Sequence, residues 1–100
     1  MSRKDDLNKM ASLVGNAAAH VALFKEERES PIYMEQVAEV ASKRSWNERE
    51  MEYFRENAEA RAKNEIEKRI EKYGLNPENF ENYMKRAVQY IKEFVETFLV

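Results

Sequence analysis

Apolar positions recur along this chain in steps of three and four, the spacing that gathers side chains on one face of an α-helix. The clearest case is the last quarter, 76–100, where Phe80, Met84, Ala87, Ile91, Phe94 and Phe98 form one stripe and Val88, Val95 and Leu99 widen it. A stripe that broad predicts a helix packed against more than one neighbour, and the fold is expected to be organised around it. Nearer the start, Leu7, Met10, Val14, Ala17, Val21 and Phe24 trace a second seam, predicting a long helix from Ser2 to about Arg28. Gly15, Ala18, Ala19 and Ala22 keep much of its remaining surface small, which suits close approach by another helix.

Ser30-Pro31 reads as an N-cap followed by a proline at the first helical position, so a second, shorter helix is expected to about Arg44. Its apolar face is Ile32, Tyr33, Val37, Val40 and Ala41. Ser45 and Glu48 have the spacing of a capping box, which starts a third helix at Trp46. Met51, Phe54, Ala58, Ala62, Ile66, Ile70 and Tyr73 carry its stripe to Tyr73. Gly74 then suits a left-handed helix end, and Asn76-Pro77 restarts the chain. So short a connection folds the last two helices into an antiparallel hairpin, expected to bring Phe98 back to Met51 and Phe54. The expectation is an all-α protein, a small antiparallel bundle of about four helices (long, short, long, long), forming one domain over 1–100.

Composition agrees with this pattern: 17 glutamates stand against two aspartates, with only 2 glycines and 2 prolines among 100 residues. A chain of this length builds a single core. The net charge of −2 provides no general attraction to nucleic acid or an anionic membrane. The chain contains no cysteine, which removes disulfides and thiolate metal sites. Its longest uncharged run, Met10–Phe24, is fifteen residues and includes Ser12, Asn16 and His20, short of the roughly 20 apolar residues of a membrane span. Asp5 and Asp6 in front of that run argue against a secretory signal, and a cytoplasmic protein is expected.

For chemistry, His20 is the only histidine and has no partner at ligand or triad spacing. There is no Glu-x-x-His, glycine-rich phosphate loop, Gly-x-Ser-x-Gly or His-Glu-x-x-His. No catalytic, cofactor-binding or metal residue is therefore assigned. Glu26 with Glu29, Glu48 with Glu52, Glu52 with Glu56 and Glu67 with Glu71 share helix faces, but they sit among lysines and arginines as solvated surface does. The aromatics Tyr33, Trp46, Tyr53, Phe54, Tyr73, Tyr83 and Tyr90 read as core and rim before they read as a ligand groove.

One local pattern points to a partner class. Val37-Ala38-Glu39-Val40-Ala41, then Ser42-Lys43-Arg44-Ser45 and a fresh helix, resembles a helix-turn-helix over 32–56. Lys43, Arg44, Arg49 and Arg55 would meet phosphates, but Glu48, Glu50, Glu52 and Glu56 carry the wrong sign there. Two packed bundle helices produce the same pattern. The favoured expectation is a non-enzymatic protein-interaction or assembly module that forms a homodimer, because a second helix of roughly 21 Å leaves longer neighbours uncovered. The expected interface is Leu13, Gly15, Ala18, Ala19 and Ala22 with Phe98 and Leu99. A nucleic-acid-binding regulator is the alternative, and a small helical enzyme using surface carboxylates the third.

Overall fold

The computed structural model describes residues 3–24 and 31–99, with side chains of 31–34 excluded. The expected helix ends at Ser2 and Arg28, Ser30, and the Glu26–Glu29 pair lie outside the described residues, as do the side chains of Ile32 and Tyr33 expected on the apolar face of the second helix. Within them, 91% of residues are helical and there is no strand. The elements are α1 (Arg3–Phe24), α2 (Pro31–Ser42), α3 (Glu48–Tyr73), a 3₁₀ turn (Pro77–Asn79), α4 (Phe80–Phe94) and a π turn (Val95–Leu99). The chain is the small helical bundle expected, in long, short, long, long order.

The central element is α1, not the last helix. Ten α1 residues are buried, against three in α4. The reason lies in side-chain size: alanines and Gly15 let neighbours approach α1 from several sides, so it packs against α3, α4 and α2. The strong apolar–polar contrast of α4 marks instead a helix with one wet back.

Helices α1 and α3 run side by side in the same direction. Arg3 pairs with Glu50, Asn8 accepts from the Tyr53 hydroxyl at 2.7 Å, and Asn16 accepts from Arg61 at 3.4 Å, ascending together along both helices. Gly15 is the closest point of this contact. A Cβ there would stand 2.6 Å from the Cβ of Arg61 and 2.7 Å from the carbonyl oxygen of Ala58, so the glycine is a packing notch. Helix α4 returns antiparallel to both: Phe94 stacks on Phe54 at 5.5 Å, while Arg86 donates to the Ala22 carbonyl at 3.2 Å near the other end. The aromatic that meets Phe54 is thus one turn earlier than the expected Phe98.

Helix α3 is about 39 Å long at 1.5 Å per residue, which accounts for the 40 Å long axis of the molecule. It begins two residues later than expected. Asn47, not Ser45, caps it, accepting from the Glu50 amide at 2.8 Å while the Glu50 carboxylate accepts from the Asn47 amide at 3.1 Å. This leaves Trp46 free to turn inward, where it is buried and donates to the Ala41 carbonyl at 2.8 Å. The helix ends as expected at Gly74, whose left-handed conformation (φ 63°) allows the Leu75 amide to reach the Ile70 carbonyl at 2.9 Å.

The end of the chain departs from the 3.6-residue period. An α-helical stripe would continue Ile91, Phe94, Phe98. The π turn, with its i→i+5 hydrogen bonding, instead carries Leu99 into the core at 5% exposure and leaves Phe98 at 40%. Phe98 rests on Phe94, ring centroids 4.9 Å apart.

Candidate functional site

Because α1 and α3 are parallel, their C-terminal ends lie together, and an open cleft of about 600 Å³ forms between them. Helix α1 supplies His20 and Phe24, one turn apart. Helix α3 supplies Glu65, Lys68, Arg69 and Lys72, the i, i+3, i+4, i+7 positions of one face, together with Tyr73. The rings form a row: His20 lies 5.0 Å from Phe24, and Phe24 meets Tyr73 edge-on at 5.8 Å. Phe24 is 40% exposed and Tyr73 53%, so this aromatic surface faces solvent.

The charges are lopsided. Three cations, Lys68, Arg69 and Lys72, face one carboxylate, Glu65, which leaves +2 on the lining of a chain whose net charge is −2. Glu65 is shared among Arg61, Lys68 and Arg69 at 3.5, 3.7 and 4.0 Å, ion-pair distances rather than short hydrogen bonds. The Nη1 of Arg69 is buried and has no hydrogen-bond partner. Lys72, in the last turn, complements the carbonyl end of α3 and lies over the Tyr73 ring at 5.4 Å. Lys68 and Arg69 sit one turn back, where that terminal field has fallen away. The surplus charge is therefore available to a ligand.

The second charged cluster, at the opposite end, is satisfied internally. Arg3 donates two hydrogen bonds to the Glu50 carboxylate, at 2.7 and 2.8 Å, and one to the Ser45 carbonyl at 2.7 Å. The Arg3 guanidinium, then the Asn47 amide, hold the Glu50 carboxyl down to about 2. Arg44 donates to Asp6 at 2.6 Å, and Asp6 is buried at 3% exposure. Arg3 and Arg44 both lie over the Trp46 ring, at 5.3 and 6.0 Å. With its charges matched, this cluster pins the α2–α3 loop to the start of α1.

The expected interface is mostly spent inside the chain. Gly15, Ala18, Ala19 and Ala22 are buried within the bundle, as is Leu99, while Leu13 is half-buried and Phe98 alone is exposed. The small-residue surface accommodates α3 and α4, not a second copy. Of the basic residues expected to face phosphates, Arg44 is engaged with Asp6, and Lys43, Arg49 and Arg55 are exposed. Among the described residues, helix α2 packs chiefly on α1 and on the π turn rather than on α3, which is not the mutually packed helix pair of a helix-turn-helix. Glu48, Glu52, Glu56, Glu67 and Glu71 lie exposed along α3, and among the described residues no three metal-ligating side chains converge. No described helix is long and apolar enough to cross a membrane.

No protein-family model, curated protein or solved structure matches this chain. Functional assignment therefore rests on the surfaces just described.

Proposed function

We propose that the chain is a non-enzymatic protein-interaction module that self-associates as a dimer through the face around Phe98. The observation that supports this is the π turn, which leaves Phe98 40% exposed as one wall of a groove of about 190 Å³ whose other lining residues are Tyr90, Glu93, Phe94 and Thr97. An exposed ring that walls a groove on the same face suits a two-fold contact, since each copy offers the edge of its ring to the groove of the other. Tyr90 and Phe94 make the groove floor aromatic, which favours an aromatic guest. The contact is small and the dimer correspondingly weak. The compartment we propose is the cytoplasm, the expectation drawn from the sequence.

Light scattering after size exclusion, from about 10 μM to about 1 mM, spans the affinities expected of a contact this small. The wild type should gain mass with concentration, and Phe98→Ser should stay monomeric with unchanged helicity. A wild type that remains monomeric throughout, or a Phe98→Ser variant that dimerises equally, overturns the proposal.

A further inference from the structure

We infer that the cleft between the C-terminal ends of α1 and α3 binds a phosphate monoester carrying a flat aromatic body, the chemistry of a nucleoside monophosphate. This goes beyond the self-association proposed above and uses a different end of the molecule.

The charge argues for phosphate. The lining carries +2 from three cations and one carboxylate, and a phosphate monoester near neutral pH carries about −1.5 to −2. Arg69 provides the directed contact. Its side chain is 23% exposed, and its ion-pair partner among the described residues, Glu65, stands 4.0 Å away and is shared with two other cations. An incoming phosphate oxygen forms a charge-assisted bond with the exposed part of that guanidinium, which no short hydrogen bond to Glu65 competes for. Lys68 and Lys72 flank Arg69 on the same helix face and supply the remaining charge without demanding fixed geometry.

The aromatic row argues for the rest of the ligand. A bare anion needs no rings, yet Phe24 and Tyr73 stand 40% and 53% exposed, meeting edge-to-face beside the cations. A planar heterocycle stacks on such faces whatever its identity, as bases do on aromatic platforms. The 600 Å³ cleft lies within the range of small-molecule sites. It is also open, which predicts modest affinity and ready exchange.

The test is an NMR titration of the full chain with adenosine 5′-monophosphate at low salt, with adenosine and inorganic phosphate as separate arms. Saturable shifts should centre on His20, Phe24, Arg69 and Tyr73, and binding should weaken as salt is raised. Adenosine alone and phosphate alone should each bind about tenfold more weakly or worse, because each loses one half of the contact. Arg69→Gln should weaken the nucleotide by about tenfold or more. Should Arg69→Gln lose helicity, Lys72→Gln and Tyr73→Ala, both at exposed positions, carry the test, with weakened binding expected from each. The inference is overturned if the nucleotide gives no saturable shift at the cleft, if phosphate alone binds as tightly, or if folded variants bind like the wild type.

Discussion

Replacing Gly15 by alanine sets two opposed effects against each other, and the structure says which wins. In a solvated helix the change adds about 1 kcal/mol of stability, because alanine is the better helix former. Here the new Cβ would stand 2.6 Å from the Arg61 Cβ and 2.7 Å from the Ala58 carbonyl oxygen. Neither obstacle is the free end of a side chain, so relief requires α1 and α3 to separate by roughly 0.8 Å to reach ordinary contact. A gap of that size forfeits about a quarter to a half of each dispersion contact along the alanine stripe. Overpacking of this kind costs about 1–3 kcal/mol, and the rigid neighbours put this site at the upper end. After the propensity gain is subtracted, a net loss of about 1–2 kcal/mol remains. Thermal unfolding followed by circular dichroism should show a midpoint about 4–16 °C lower, given roughly 4–8 °C per kcal/mol in a domain of this size. Gly15→Val should be worse. An alanine variant with an unchanged or higher midpoint would refute the notch.

Gly74→Ala meets no neighbour but inherits a φ of 63°, so it should cost about 1–2 kcal/mol by denaturant unfolding, with the fold otherwise intact. Leu99→Ala should cost about 2 kcal/mol or more while Phe98→Ala, measured on dilute monomer, costs under about 1, and the reverse order would show that the chain ends in a continued α-helix. The Glu50 carboxyl sits below its unfolded value of about 4.3, so its pairing with Arg3 stabilises the fold above that pH and is lost as pH falls toward about 2. Acid titration of stability should therefore be shallower across that window in Glu50→Gln, and identical slopes would count against the pair.

The regular parts of this fold are plain in the chain because they rest on local rules. Stripes at helical spacing, Gly74 at a left-handed position and Asn76-Pro77 at a restart each act within a few residues. Ser45 with Glu48 and Asn47 with Glu50 are both acceptable capping boxes locally. The choice falls to Asn47 through distant residues: Trp46 buries its ring, and Glu50 is also the partner of Arg3. The π turn is hidden for a related reason, since Phe98 and Leu99 are both apolar and either would satisfy the stripe. The rank of α1 is hidden because amphipathic contrast, the visible signal, is weak in a helix surrounded on several sides. The cleft draws on residues about 45 positions apart, and only the parallel pairing of α1 with α3 unites them. His20 and Tyr73 are individually noticeable in the chain, but nothing local relates them.

That parallel pairing also governs how the chain reaches its folded state. The hydrogen bonds that join α1 to α3 link residues 45 to 47 positions apart, whereas a hairpin joins partners across a few. Contacts of long sequence separation reward the chain only after a large loop has closed, which slows folding relative to bundles assembled from consecutive hairpins. During synthesis, α1 and α2 leave the ribosome before the helix that fills the notch at Gly15 has been made. The nascent chain must hold its most alanine-rich segment in waiting until most of α3 has appeared. The packing of α1 is therefore gated by the appearance of α3.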